Sequence, residues 1–520
     1  MSLSSRFSGP VGLEIGSRPD VAEHSGSHHC IARVRSWLET CKRDHPECSF
    51  VSPSPDSTSF LPKRIVDVGD GNSLPRLCSS STITTQNRSY IALSHCWGSI
   101  QTYTTEKRTI GDRMRSMPWN EIPKTFMDAI FVARSLGIRF LWIDSLCIIQ
   151  DDMDDWTEES SKMSYIYAQA TLTIAAAAAR DDTEGFIAQR NFGATVSVLG
   201  RGHPLRFRQA IHDNLASIGP LVQRAWVFQE RLLSRRVLFY EEHEMVWECR
   251  RAKQCECGSW LPHDTYRTDQ KRRDAYAWWH LSVVPQYTRL QITKTTDRFP
   301  ALSGLATAFR HRIQDTYMAG LWLRHIIRGL LWRPVSTGTL PGVYLAPSWS
   351  WASLNGPINY ESRYLEGIEL AEFIGCQVDN ATVDSTGGVS YGELSLRCPV
   401  LDIQCTSTGN YSSYGYINAH TTRHVDAHIC LDTPSMPLDV LTADGWKRTC
   451  VRSNTFVTLD SRCTLYLSAL KKFGPFRVMC KGIVLGLSSS RQGAFERVGY
   501  WMGDDIRSLP GACIRDITIV

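Results

Sequence analysis

The chain has 520 residues, which is too long for one ordinary hydrophobic core and predicts two or three domains. The net charge is only +5, from 57 basic and 52 acidic residues without long runs of one sign, so neither nucleic acid nor an anionic membrane is an expected partner. The 17 cysteines are odd in number and irregularly spaced in a large chain, which argues against a secreted disulfide scaffold.

The first residues lack the apolar core of a secretory signal, and no apolar run is long enough to span a bilayer. We therefore expect a cytoplasmic protein with reduced thiols.

Residues 1–60 are expected to form a flexible tail and one short helix. The segment 1–30 is rich in Ser, Gly and His, 31–41 predicts the helix, and 52–59 is a polar linker.

The short helix carries a cysteine–histidine array, Cys41, His45 and Cys48, with His28, His29 and Cys30 upstream as sources of a fourth zinc ligand. The spacing is not that of a standard zinc module, and such an array is more often a packed helical face. A weaker cluster contains Cys249, Cys255 and Cys257. The sequence therefore predicts no metal ligands among the functional residues and no cofactor.

An α/β domain is predicted at 61–250. The short apolar runs 90–93 and 140–143 have the length of strands buried on both faces, and 122–137 between them predicts a helix with Pro123 near its start. Strand, helix and strand in this order indicate a parallel sheet, which binds ligands beyond the carboxyl ends of its strands. We expect the strands near 90–94, 139–143 and 171–175 to be parallel neighbours in one sheet, with Ser94 and Asp144 at the same edge.

Polar residues follow both apolar runs. Ser94, His95, Trp97 and Gly98 follow the first, and Asp144 follows the second. Asp144 either faces a ligand or caps the next helix, Trp97 offers a flat face for a ring, and Gly98 permits close approach of backbone. Trp and Gly at a strand end are equally often parts of a core and a turn.

Two adjacent glutamates differ in their predicted environment. Glu159 lies on the apolar stripe of a helix, three residues after Trp156, whereas Glu158 lies off the stripe and is placed to pair with Lys162 in solvent. Burial disfavours the charged form of Glu159, a common way of producing acid–base or cation-stabilising residues. The alternative is a structural glutamate that holds the helix in place.

A second carboxylate, Glu230, shares a helical face with Trp226, and Gln229 lies beside it. Arg224, one turn earlier, is placed to pair with Glu230 and clamp the helix to the sheet. The chain has no GxSxG, P-loop or GxGxxG motif, so the corresponding hydrolase, NTPase and dinucleotide-binding readings lack support.

The remainder of the chain is expected to form two further regions. Residues 251–344 are tryptophan-rich and predict helices, one of them at 320–332, and 345–520 contain short β-like runs typical of an antiparallel β region.

The segments YIALSHCWG, IPKTFMDAIFVARSLGIRFLWIDSLCIIQDDMDDW, ESSKMSYIYAQATLTIAAAAARDDTEGF and RAWVFQERLLS resemble the heterokaryon incompatibility (HET) domain of filamentous fungi. They occur in the family's order and cover about 90–232. Two departures are His95-Cys96, where the family more often has an aromatic residue, and Ile149, where an acidic residue is usual.

This resemblance implies a TIR-like or flavodoxin-like parallel-sheet domain that acts in non-self recognition and triggers growth arrest and cell death. TIR domains, to which the family is remotely similar, include enzymes that cleave NAD with a helical glutamate, and Trp156-Thr-Glu-Glu159 resembles that arrangement.

Two hypotheses follow. In the first, the domain is an NAD glycohydrolase in which Glu159 and Asp144 are catalytic. The substrate-binding residues would then be Ser94, His95, Trp97, Gly98, Trp156, Arg224, Trp226, Gln229 and Glu230. In the second, it is a non-enzymatic signalling module that associates with itself or with another incompatibility or signalling protein, and the glutamates are structural. A zinc-dependent protein is a distant third.

Overall fold

The structure is a computed structural model in which the chain forms two compact units, Met1–Asp269 and Gln270–Val520. It describes residues 7–8, 14–15, 19, 21–49, 60–84, 88–98, 103–190, 196–200, 203–207, 219–258, 272–336, 338–361, 369–381, 386–407, 417–421, 426–432, 437–442, 445–450, 462–469, 479–504 and 513–520. The predicted linker at 52–59 and most of the predicted tail before residue 21 lie outside these ranges.

The first unit is built on an eight-stranded mixed sheet. Its strands are β1 (Arg64–Asp67), β2 (Arg76–Ser79), β3 (Tyr90–Ser94), β4 (Phe140–Trp142), β5 (Leu172–Ala175), β6 (Arg236–Tyr240), β7 (Met245–Cys249) and β8 (Lys253–Cys255). Their order across the sheet is β8-β7-β6-β5-β3-β4-β1-β2. Separate short ladders pair Phe7–Ser8 with Glu14–Ile15 and Val196–Gly200 with His203–Phe207.

The four central strands are parallel, with β3 between β4 and β5 and with β6 beside β5. The predicted parallel neighbours are therefore confirmed. In chain order this core reads second, first, third, fourth, as in flavodoxin-like sheets. The direction of winding changes between β3 and β5, so a crevice is expected outside their carboxyl ends.

The helices of this unit connect or flank the strands. They are α1 (His28–Asp44), α2 (Ile110–Arg115), α3 (Lys124–Ser135), α4 (Asp144–Cys147), α5 (Met153–Gln169) and α6 (Ala225–Leu233). Short 3-10 turns lie at Pro46–Cys48, Ser80–Thr82 and Leu221–Gln223.

Sequence signals account for the limits of these helices. The Ser27 side chain caps α1 by accepting from the Cys30 amide, and Asp152 caps α5 by accepting from the amides of Asp154 and Asp155. Gly137, at φ +71°, follows α3 in the left-handed conformation that glycine adopts readily.

The second unit combines helices with antiparallel sheet, as predicted. Its helices are α7 (Arg272–Trp278), α8 (Val284–Tyr287), α9 (Pro300–Ile313) and α10 (Ile326–Gly329), with a π turn at Trp279–Val283 and 3-10 turns at Thr295–Arg298, Leu323–His325 and Trp351–Ser353. Its large sheet contains Glu372–Asn380, Val389–Ser407, Ile417–Thr421, Asp426–Leu431, Arg462–Ala469, Met479–Leu487, Phe495–Asp504 and Cys513–Ile519. Pro437–Thr442 and Gly445–Cys450 form a separate hairpin.

The segment 320–332 departs from the predicted helix. Leu321–Trp322 pairs with Tyr317–Met318, and only Ile326–Gly329 is α-helical. Arg333–Pro334 then pairs with Ile358–Asn359. Among the described residues, no helix is both long and apolar enough to cross a membrane.

Candidate functional site

The carboxyl edge of the parallel strands brings the two polar tips together. Ser94 is aligned with Ala175 across β3 and β5, and Asp144 comes two residues after the end of β4. The indole Nε1 of Trp97 donates to Asp144 Oδ2 at 2.8 Å. Ser94 and Asp144 therefore lie at the same edge, as predicted.

Asp144 uses its two oxygens differently. Oδ1 accepts from the Ser145 amide at 2.8 Å, while Oδ2 accepts from Trp97. The side chain thus binds a backbone amide at the start of α4 and also joins the two strand tips. The Gln150 side chain donates to the Asp144 carbonyl at 3.2 Å and supports this turn.

His95 is buried next to this carboxylate. Its Nδ1 lies 3.7 Å from Asp144 Oδ1, and its ring meets the Phe126 ring edge-on at 5.1 Å between centroids. Burial lowers the pKa of His95, and the Arg224 charge adds to this effect while Asp144 opposes it. The imidazole is therefore held in its neutral form at physiological pH.

Glu230 approaches the same edge from α6. Burial raises the pKa of Glu230 to about 7, and the negative charge of Asp144 acts in the same direction. The hydroxyls of Ser94 and Tyr167 and the Arg224 charge lower it. A carboxyl group with a pKa near 7 exchanges protons readily at neutral pH, as general bases require.

Several buried polar atoms at this edge have no hydrogen-bond partner within the described part of the chain. They are His95 Nδ1, Ser145 Oγ and Glu230 Oε2. Leaving a buried polar atom unpaired costs about 1–3 kcal/mol. Native proteins tolerate such groups mainly where water, an ion or a ligand binds, or where strain serves a function. Their concentration at the predicted crevice makes it the candidate site.

Arg224 fastens α6 to this edge. Its Nη1 donates to the His95 carbonyl at 3.3 Å, so the helix is clamped to the end of β3 through the backbone. The sequence predicted a clamp by this arginine, with Glu230 as its partner; in the structure, the charge of Arg224 also acts on Glu230.

Tyr167, near the end of α5, is not among the residues that the sequence predicts for the site. Its hydroxyl donates to the Leu93 carbonyl at 3.3 Å, and it lies close enough to Glu230 to lower the pKa of that carboxyl. Helical side chains lean toward the helix N-terminus, which is how a tyrosine near the end of α5 reaches the opposite edge of the sheet. This tilt is the signal by which the sequence could have placed Tyr167 near the site.

Glu159 lies apart from this group. It is fully buried, its Oε1 accepts from Lys162 Nζ at 3.1 Å, and its Oε2 has no hydrogen-bond partner in the described ranges. Its charge acts on Cys147, where burial is the main cause of a raised pKa. The neighbouring Glu158 side chain is 48% exposed and lies 2.7 Å from Lys162 Nζ. The predicted difference in burial between the two glutamates is confirmed.

The other predicted site residues differ in burial and in backbone conformation. Trp156 and Trp226 are half-buried on α5 and α6, and Gln229 is buried. Gly98 has φ +78°, and a Cβ there would lie 2.6 Å from the Asp181 Cβ. The close approach that Gly98 permits is therefore made by Asp181 of this chain.

A groove of about 460 Å³ runs along α3. It is lined by Trp119, Met127, Ile130, Phe131, Arg134 and Ser135. None of the predicted site residues lines it, so its position does not change the choice of site.

Metal-ligating side chains converge elsewhere in the first unit. The predicted array of Cys41, His45 and Cys48 is joined by Cys249, which the sequence had placed in a different cluster. Cys255 and Cys257 lie instead beside Glu244.

The fold and the site together define an α/β domain with a polar carboxyl edge between β3, β4 and α6. Residues 90–230 match the model of the family described as Heterokaryon incompatibility protein (HET). This span includes both strand tips, α5 and α6 through Glu230. The chain therefore contains a HET domain, as the resemblance implied. No curated protein and no solved structure matches the chain.

Proposed function

We propose that this chain acts in fungal heterokaryon incompatibility and that its HET domain triggers growth arrest and cell death. The family match over 90–230 supports a role of the heterokaryon-incompatibility type. The reaction by which the domain would act on the cell is inferred from the residues at the carboxyl edge of the sheet.

For that step we propose hydrolysis of the N-glycosidic bond between nicotinamide and ribose in NAD. The observation that carries the proposal is the group of unpaired buried polar atoms at the carboxyl edge. In this reaction water adds to the anomeric carbon, the bond to nicotinamide breaks with its electrons leaving on nicotinamide, and the proton of water passes to a carboxylate. A carboxylate also stabilises the positive charge that develops on the ribose.

Glu230 is the better placed carboxylate. It shares the edge with Asp144 and Ser94, and its pKa of about 7 leaves a substantial basic fraction at neutral pH. Glu159 was the first choice from the sequence and remains the second candidate. Its contact with Lys162 offsets its charge, which makes it less suited to stabilising a cation.

Non-enzymatic assembly is the competing function, and one observation favours it. Ser94, His95 and Glu230 are each at most 6% exposed, and the Trp97–Asp144 bond closes the gap between the strand tips. A polar cluster enclosed in this way also serves to fix the geometry of a signalling surface.

The test expresses the full chain in a fungal host and follows growth together with cellular NAD. We expect the parent chain to lower NAD before growth stops. Glu230→Gln should abolish both effects, because it keeps the shape of the side chain but removes the base. Glu158→Gln, an exposed neighbour of the second candidate, is the matched control and should behave like the parent.

Purified protein completes the test through nicotinamide release from NAD. Release that is lost in Glu159→Gln but kept in Glu230→Gln would transfer the catalytic role to Glu159. Growth arrest with unchanged NAD in cells expressing the parent chain would reject hydrolysis and support assembly.

A further inference from the structure

Four side chains from distant parts of the first unit converge on one point. The ligand atoms of Cys41, His45, Cys48 and Cys249 all lie within 4.8 Å of one another. The three cysteines are fully buried, and His45 is half-buried. Three buried thiols and an imidazole form a complete set of four soft and borderline ligands.

Local structure explains how the first three meet. Cys41 lies in the last turn of α1, and the His45 amide donates to the Cys41 carbonyl at 3.3 Å. The 3-10 turn Pro46–Cys48 then bends the chain back so that Cys48 returns toward Cys41.

The fourth residue comes from the sheet, because α1 packs against β7 and β8. Trp37 stacks on Trp247 with 6.1 Å between ring centroids, and its Nε1 donates to the Gln254 side chain at 3.0 Å. This packing places the end of α1 beside Cys249, the last residue of β7.

The dimensions match a tetrahedral zinc ion. With zinc–sulfur and zinc–nitrogen bonds near 2.3 and 2.0 Å, tetrahedral geometry separates two sulfurs by about 3.8 Å and a sulfur from a nitrogen by about 3.5 Å. Cys249 Sγ lies 3.4 Å from His45 Nδ1. Calcium and magnesium require oxygen ligands, which this group does not supply.

A positively charged neighbour fits such a centre. Zinc with three thiolates and a neutral imidazole carries one net negative charge. Arg236 Nε lies 3.1 Å from Cys41 Sγ, and its Nη2 donates to the Cys48 carbonyl at 3.4 Å. One buried guanidinium therefore offsets the charge and orients two of the ligands.

We propose that Cys41, His45, Cys48 and Cys249 bind a structural zinc ion. Four protein ligands leave no open position for a substrate, which is the mark of structural sites. The ion would fasten the end of α1 to β7 across the 200 residues that lie between Cys48 and Cys249. This proposal does not depend on the function of the carboxyl edge.

Elemental analysis of the full chain tests this zinc site. The chain is purified under reducing conditions with zinc supplied, and excess zinc is removed before the measurement. We expect Cys41→Ser/Cys249→Ser to lose about one zinc per chain relative to the parent. Cys78→Ser is the matched control, because Cys78 lies on β2 outside both clusters, and it should keep the parent's zinc content. Comparing variants also separates this site from any metal at Glu244, Cys255 and Cys257.

A second measurement guards against misfolding of the double variant. His45→Cys supplies four thiolates, so it should retain the metal, and cobalt in place of zinc should show stronger sulfur-to-metal charge-transfer absorption than in the parent. Three outcomes would overturn the proposal. They are a parent chain that binds neither zinc nor cobalt, a disulfide among these cysteines under reducing conditions, and full zinc retention in the double variant.

Discussion

Burial gives three similar glutamates in this domain different chemistry. Glu158 pairs with Lys162 and Lys63 in solvent, and these contacts lower its pKa to about 2. Glu159, the next residue, is fully buried, and one of its carboxylate oxygens pairs with Lys162. Glu230 is buried, and its Oε2 accepts no hydrogen bond from the described residues. Burial therefore raises the pKa of Glu230 to about 7. Glu230 therefore titrates near neutral pH, whereas Glu158 stays ionised there.

Glu230 should make stability depend on pH. Its pKa is about 7 in the folded chain against an ordinary value of 4.5, so its contribution to stability is fully present below about pH 4.5 and is lost as pH rises through about 7. We expect Glu230→Gln to be more stable than the parent at pH 8 by about 1–3 kcal/mol, and this advantage to shrink by pH 5.

Urea unfolding at pH 5 and pH 8 measures this difference, with Glu158→Gln as the exposed control. A difference between Glu230→Gln and the parent that is the same at both pH values would contradict the raised pKa. Retained stability at pH 8 would also show that lost NAD cleavage in this variant is not caused by unfolding.

At the scale of elements, local patterns were sufficient to predict three of the four central strands and the helices between them. The runs 90–93 and 140–143 became β3 and β4 because continuous apolar residues of that length suit strands covered on both faces. The periodicity of Glu159 and Glu158 likewise fixed which of the two is buried.

Contacts between distant elements were not predictable in the same way. Cys249 completes the Cys41 cluster only because α1 packs on β7, and no local pattern encodes that pairing. The predicted helix at 320–332 failed because Gly320 takes φ +95° in a turn between two short strands. A Cβ at Gly320 would lie 2.7 Å from Trp351 Nε1, a tertiary contact that overrides helical propensity.

The start of α5 is held to β1 by Asp155, which is paired with Arg64 and Lys63 and accepts from the Ile149 amide at 2.9 Å. Burial opposes ionisation, but the Ile149 amide and the two cations hold the pKa of Asp155 below its usual value. Asp155→Asn should therefore destabilise the chain by about 3 kcal/mol at pH 7, because it leaves the buried Arg64 charge uncompensated.

Thermal or urea unfolding tests this, with the exposed neighbour Asp154→Asn as control. A depressed pKa gives stability that is present above the ordinary pKa and is lost as pH falls, so the effect of Asp155→Asn should diminish below about pH 4. An equal loss in both variants would show that the ion pair on β1 is not what holds α5.

At the scale of the whole molecule, the chain divides into two units with different cores. The first is a mixed sheet with a parallel centre, and the second packs fully buried tryptophans, including Trp279, Trp322, Trp332 and Trp349, among its helices and antiparallel strands. Separate cores of this kind need not unfold in one transition.

Calorimetry of the full chain should therefore resolve two transitions, and a zinc chelator should lower only one of them. All four proposed zinc ligands lie in Met1–Asp269, so removing the ion weakens that unit by the binding free energy it loses. For a unit of this size we expect a fall of about 10 °C. In Cys41→Ser/Cys249→Ser the same transition should already be lower and should no longer respond to the chelator. A chelator that shifted both transitions equally, or neither, would contradict a zinc ion confined to the first unit.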